Sequence, residues 1–300
     1  MNKKVLLLFS GGLDSLLCSA ILKEQGVKVT PVCFYSHFFN CKKALEMVKQ
    51  VGLKLRVIDI SKIHLKMIKD PKYGRGAGMN PCVDCHLLML KTAKKIMKKE
   101  GYDIIATGEV LGQRPFSQNR QALELIEKRA GLKGLILRPL SAKLLKETKF
   151  GSEGLYSISG KSRKEQLSLA KKFKIKNIPM PAGGCILTDV IFSKKLKELL
   201  RIKKSFNGDD VNLLKIGRVF FDDKFFVIVA RNEKECKELV KQRKKGDIVL
   251  EPHGFSGPTV LIRKTKKSSR DEMINFASEL LIKFSKNVPD NSAIKILPSL

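Results

Sequence analysis

The stretch Phe9-Ser10-Gly11-Gly12-Leu13-Asp14-Ser15 constrains the fold more than any other part of this 300-residue chain. An apolar run, Val5-Leu6-Leu7-Leu8, precedes it, and a helical pattern, Leu16-Leu17-Cys18 and Ala20-Ile21-Leu22, follows. That order predicts a strand, a glycine turn and a helix. Gly11 and Gly12 permit backbone angles that residues with a Cβ avoid, and they let a ligand approach the main chain. The N–H groups of the first helical turn face the same spot, with the positive end of the helix dipole behind them. Such a turn is a candidate anion site, above all for phosphate. Ser10 and Ser15 add hydroxyl donors. Asp14 suits the place only if it holds a metal ion or positions a nucleophile. The competing reading is an ordinary strand–helix turn whose Asp and Ser cap the helix.

Residues 1–60 alternate between the two element types. Strands are predicted over Val5–Phe9, Val27–Phe34 and Leu53–Ile58, and helices over Leu16–Glu24 and Lys42–Val51. Near-continuous apolar strands of this kind are parallel and covered by helices on both faces. Strands at Ile104–Thr107 and Gly134–Leu137 complete an α/β fold with an open, doubly wound parallel sheet. Its ligand site lies at the carboxyl ends of the strands. The glycine turn, Phe34-Tyr35-Ser36 and Thr107-Gly108-Glu109 all fall at that edge. Composition shifts near 205, after which strands and helices predict a second, smaller α+β module. The expected domains are 1–204 and 205–300.

The chain carries 59 Lys and Arg against 29 Asp and Glu, a net charge of +30. An excess this large implies a polyanionic partner, with nucleic acid favoured over a membrane surface. Candidate backbone contacts are Lys143, Arg163 and Lys164 in a basic stretch that also holds Lys146 and Lys149, and Arg218 and Arg263 in the second module. A merely solvated face is the alternative. No apolar run approaches the roughly 20 residues of a membrane span. The first strand begins almost at the N-terminus, so the expectation is a cytoplasmic protein without a membrane partner.

Seven cysteines in such a chain argue against structural disulfides. Cys18, Cys33, Cys41 and Cys236 are expected to be inert. Cys82 and Cys85 differ, because they open a helix after a long glycine-rich loop, Pro71–Pro81. Cys185 differs too, displayed by the turn cluster Pro179-Met180-Pro181-Ala182-Gly183-Gly184. A Cys-x-x-Cys pair serves zinc, redox and iron–sulfur chemistry alike. A closed zinc site would need His86 as a ligand, whereas a His in that position is expected to face solvent.

Ser10-Gly11-Gly12-Leu13-Asp14-Ser15 resembles the PP-loop of the ATP pyrophosphatase superfamily, whose fold is adenine nucleotide alpha hydrolase-like. Members cleave ATP between the α and β phosphates. The resemblance implies ATP held by Ser10, Gly11, Gly12, Asp14 and Ser15, adenine near Phe34, Thr107 and Gly108, and Mg²⁺ at Asp14. Asn80-Pro81-Cys82-Val83-Asp84-Cys85 resembles the Asn-Pro-Cys-x-x-Cys of bacterial tRNA 2-thiouridine synthases, and Ala106-Thr107-Gly108 matches their Ala-Thr-Gly. Archaeal-type thiouridine synthases bind a [4Fe–4S] cluster through a Cys-x-x-Cys and one distant Cys. That resemblance implies catalytic and metal-binding roles for Cys82, Cys85 and Cys185. A persulfide on Cys185, released by Cys82 or Cys85, remains the other route. Leu214–Arg218 and Ile228–Asn232 resemble an NFACT-type RNA-binding module. The implied activity is ATP-dependent tRNA uridine thiolation by a tRNA sulfurtransferase. Its implied partners are tRNA and a sulfur donor, either sulfide or a persulfide carrier. A PP-loop amide ligase with a small substrate and a non-catalytic RNA-binding protein are the alternatives.

Overall fold

The computed structural model describes residues 3–145, 151, 153–180, 184–290 and 293–298. Lys146 and Lys149 of the basic stretch, and Pro181, Ala182 and Gly183 of the turn cluster, lie outside the described residues. The chain divides into two compact units, residues 1–186 and 187–300.

The first unit is built on a five-stranded sheet in the order β3-β2-β1-β4-β5. Its strands are β1 Lys4–Leu8, β2 Lys28–Tyr35, β3 Arg56–Asp59, β4 Ile104–Thr107 and β5 Ile136–Leu137, and every pairing is parallel. Side chains alternate across the central strand, so each face of the sheet takes its own core. Val5 and Leu7 pack with α1 (Leu13–Glu24) and α7 (Lys164–Lys172), whereas Leu6 packs with α4 (Cys82–Glu100) and α5 (Arg120–Ala130). The expected doubly wound α/β sheet is therefore present, and the strand order reverses next to β1. That reversal places the crevice at the carboxyl ends of β1 and β4. The predicted second helix is a shorter α2, Lys42–Met47, followed by a 3₁₀ turn, Val48–Val51. Helix α3, Ser61–Lys69, was not foreseen; it buries His64 and Ile68 at a spacing of one turn. A four-residue α6, Ala142–Leu145, follows β5.

The second unit has an antiparallel sheet in the order β10-β8-β9-β7-β6. Its strands are β6 Arg218–Phe221, β7 Phe225–Val229, β8 Ile248–His253, β9 Val260–Lys264 and β10 Ala293–Ile296. Helix α11, Arg270–Lys283, seals one face with Met273, Ala277, Leu280 and Leu281. The remaining helices are α8 Val190–Ile202, α9 Gly208–Leu213 and α10 Glu233–Gln242. The break between units precedes the composition shift near 205, because α8 belongs with the second unit. Its Lys195 Nζ donates to the carbonyls of Leu214 and Gly217, both at 3.1 Å.

One expectation about the cysteines fails. Cys33 in β2 and Cys41, which caps α2, are joined as a disulfide. The β2–α2 connection folds back on itself and brings their Cα atoms to 6.1 Å, within bridging reach. Compartment reasoning does not capture such a local turn. Among the described residues, no helix is long and apolar enough to cross a membrane.

Candidate active site

The glycine turn has the geometry its residues imply. Gly11 has φ +75°, a region that L side chains rarely adopt, and a Cβ there would lie 2.7 Å from the backbone of Ala44 in α2. Gly12 caps α1 with extended backbone angles, and no side chain caps the helix. The capping alternative for Asp14 and the serines therefore fails, and the first-turn N–H groups carry no side-chain cap. Ser10 Oγ accepts from Gly12 N at 3.3 Å. Ser15 differs from its expected role, because its hydroxyl donates to the Gly12 carbonyl at 2.8 Å and braces the turn from within.

The end of β4 closes on this turn. A Cβ on Gly108 would lie 2.9 Å from Ser15 N, so the close approach requires glycine there. Thr107 is buried, and its carbonyl accepts from Cys18 Sγ of α1 at 3.5 Å. Phe34, expected to frame adenine, is packed in the core with Leu6 and Val32; the exposed aromatic at that edge is Tyr35.

Asp14 points into the unit. Its Oδ2 accepts from Gln113 Nε2 at 3.3 Å, while its Oδ1 is buried without a partner among the described residues. Burial pushes its carboxyl above the ordinary carboxylate range, partly offset by Gln113, Arg163, Gln166 and Arg114. Arg163, predicted to contact RNA, thus stands close enough to act on Asp14. Its guanidinium also donates to the Pro179 carbonyl at 3.2 Å.

A second group of side chains gathers around the first turn of α4. The Pro71–Pro81 loop is held by Asp84, which accepts from Lys72 N at 3.0 Å and Tyr73 N at 2.9 Å. Asn80 accepts from Gly78 N and donates to Cys82 Sγ at 3.2 Å. Cys85 Sγ lies 3.5 Å from His64 Nε2 of α3. The His64 ring is fully buried, edge-on to Phe38 at 5.5 Å and Phe39 at 5.1 Å. Burial holds His64 down at about 4, so its ring is neutral near pH 7. Cys185 joins the same wall, because its neighbour Ile186 donates its N–H to the Phe38 carbonyl at 3.0 Å. Burial pushes the Cys85 thiol far up, and the nearby sulfurs of Cys185 and Cys82 and the Asp84 carboxylate push it further. The fold thus brings the three predicted cysteines into one neighbourhood. Among the described residues, no three His, Cys, Asp or Glu side chains already converge as a metal site.

The two groups are joined by a network that sequence reasoning missed. His86 does not face away into solvent; its Nδ1 pairs with Glu109 Oε1 at 2.7 Å. Buried Glu109 also accepts from Thr107 Oγ1 at 3.0 Å and from Arg138 Nε at 2.9 Å. Arg138 reaches on to Glu127 at 3.2 Å. Burial alone would raise the Glu109 carboxyl, but Arg138 and His86 outweigh it and hold it at about 2. One signal was available: Glu109 sits directly after Thr107-Gly108 at the ligand edge.

The predicted RNA contacts divide. Lys143 and Lys164 are exposed in the first unit, and Arg218 is exposed in the second, its guanidinium 4.7 Å over the Phe284 ring. Arg263 is a correction. It is buried, donating to Asp247 at 2.9 and 2.6 Å and to Asp210 at 3.3 Å. Its β9 position turns it inward, so its charge neutralises two core carboxylates and is withheld from phosphate.

Residues 1–148 match the family described as "Thiamine biosynthesis protein (ThiI)", and residues 217–297 match "NFACT protein RNA binding domain". The "tRNA-specific 2-thiouridylase MnmA" of Sulfurimonas denitrificans is 35% identical over 128 residues, covering 37% of this chain and 36% of that protein. The protein of the same name from Caldicellulosiruptor saccharolyticus is 27% identical over 251 residues, covering 74% and 67%. A "Probable tRNA sulfurtransferase" of Thermococcus kodakarensis is 31% identical over 150 residues, covering 46% and 36%. The chain thus spans 36% of the length of the first and third of these relatives. The two family matches fall one in each compact unit, residues 1–148 in the first and 217–297 in the second.

Proposed function

We propose that the chain is an ATP-dependent tRNA sulfurtransferase that converts a uridine to a thiouridine. The observation that carries this reading is the His86–Glu109 pair, which ties the cysteine-bearing turn of α4 to the β4 end. Gly108, the residue before Glu109, packs against the Asp14–Ser15 backbone. A nucleotide site and a sulfur site therefore share one short stretch of chain.

A uracil carbonyl oxygen is a poor leaving group. Attack of that oxygen on the α-phosphorus of ATP breaks the α–β bridge, releases pyrophosphate and leaves AMP on the oxygen. The backbone N–H groups after Gly12 would stabilise the charge that grows on the phosphates. Asp14, with one buried oxygen lacking a partner, fits a role in holding Mg²⁺ there. Sulfide addition at the activated carbon then expels AMP. Cys82, Cys85 and Cys185, soft thiols of one neighbourhood, would be the residues to hold a [4Fe–4S] cluster, which would supply a site for that sulfide. His64, packed edge-on by the Phe38 and Phe39 rings, stands against Cys85. Exposed cations, Lys143 and Lys164 in one unit and Arg218 in the other, would grip the RNA backbone without reading sequence. The target base must leave its stack to reach the α-phosphorus. The cytoplasm, where tRNA is abundant, is the matching location.

The test is anaerobic incubation with unmodified tRNA, MgATP and sulfide, followed by mass spectrometry of the nucleosides. The expected product is thiouridine, with iron and acid-labile sulfide in the protein and loss of both in Cys82→Ala. A colourless protein that forms thiouridine only when a persulfide donor replaces sulfide would follow the persulfide route instead. AMP release with only a small amine acceptor, or no ATP cleavage at all, contradicts the proposal.

A further inference from the structure

Helix α7 packs against α1 and presents Gln166 to the glycine turn. Gln166 has no exposed surface. Neither its Oε1 nor its Nε2 has a hydrogen-bond partner among the described residues, and neither does Asp14 Oδ1. The amide stands near enough to the Asp14 carboxylate to lower its pKa, yet outside hydrogen-bond geometry. Arg163, three residues earlier, caps the same helix and acts on the same carboxylate. A buried amide without partners is destabilising, and native interiors seldom keep one without a reason. A structural Gln would bond to its surroundings, and a packing residue at this place would be apolar.

We propose that Gln166 is a ligand-positioning residue of the nucleotide site, holding the metal–pyrophosphate end of ATP together with Asp14. This rests on the nucleotide reading above. The amide offers both kinds of group that this end of ATP needs. Its Oε1, like Asp14 Oδ1, is an acceptor suited to a divalent cation or the water around it. Its Nε2 is a donor suited to a phosphate oxygen. The Gln113 amide holds Asp14 Oδ2 and leaves Oδ1 without a partner among the described residues. A bound metal–nucleotide would give these three atoms partners.

The test is thermal unfolding and equilibrium binding of the full chain with Gln166→Met, which keeps volume and helix propensity while removing the polar atoms. Without ligand, the variant melts about 3 °C higher than the wild type, because the unpartnered amide is gone. Its affinity for MgATP falls about tenfold, the loss of one hydrogen bond to a charged group, while AMP binds unchanged. A second variant, Gln166→Glu, sets two carboxylates together. It melts lower than wild type alone, and MgCl₂ without nucleotide restores it. A Gln166→Met protein that melts lower and binds MgATP like the wild type makes Gln166 a structural residue and overturns the proposal. A wild-type protein that ignores MgATP overturns the nucleotide reading, and the role of Gln166 with it.

Discussion

The nucleotide turn and the sulfur wall of the first unit are neighbours built by opposite means. The turn is made of backbone: Gly11 and Gly108 let chain approach chain, and the α1 N–H groups are the proposed binding surface. The wall is made of side chains from distant segments, with His64 from α3, Cys82 and Cys85 from α4, Glu109 after β4 and Cys185 near the end of the unit. A backbone site is encoded locally and tolerates little. A side-chain site is assembled by tertiary packing, so each member can be removed alone and its role read separately.

The largest expected effect breaks the wall and spares the turn. Cys85→Ala should lower thiouridine formation by about a thousandfold or more while MgATP affinity stays within about twofold, since the sulfur is removed and no phosphate contact changes. Equal losses in both would mean that the two regions are one structural unit. Next in size is the link between them. Glu109→Gln should destabilise the unit by about 3–5 kcal/mol, because it leaves Arg138 charged and buried with a weaker partner. Denaturant melts measure this directly.

The same residue gives a pH signature. The Glu109 carboxyl titrates near 4.5 when unfolded and at about 2 when folded. Its stabilising contribution is present above pH 4.5 and lost as pH falls from there toward 2. Wild type should therefore lose stability faster than Glu109→Gln across that window. Parallel curves would mean that the carboxylate is not held by Arg138 and His86.

Gly11→Ala comes third. It should cost about 2–3 kcal/mol, because the turn needs a positive φ and the Ala44 backbone blocks a Cβ. MgATP affinity should fall with it, as measured by calorimetry. The smallest effect lies in the second unit. Arg218→Ala should weaken RNA binding only a few-fold and lower the salt slope by about one. Arg263→Ala should unfold that unit first, since it strands Asp210 and Asp247.

What could be read from sequence follows the same division. The parallel strands appear as apolar runs, and the glycine turn needs only adjacent residues to be visible. Cys82 and Cys85 announce themselves by spacing. Cys185 is marked only by the turn cluster before it, and the Ile186–Phe38 hydrogen bond that holds its neighbour on the same wall spans most of the unit. His64, Glu109, Arg138 and Gln166 are ordinary polar residues in helices and loops until packing buries them. Arg263 misled for the complementary reason: a cation in a basic sequence looks exposed until strand register turns it inward. The Cys33–Cys41 disulfide escaped because the argument concerned the compartment and not the turn between them.

The central claim is that the turn and the wall act in sequence on one uridine, and trapping the step between them tests it most directly. Cys85→Ala incubated with unmodified tRNA and ATP labelled at the α-phosphate should release pyrophosphate and accumulate label covalently on the RNA, with no thiouridine. Thiouridine formed without Cys85, or no transfer of label to any RNA, would contradict the account.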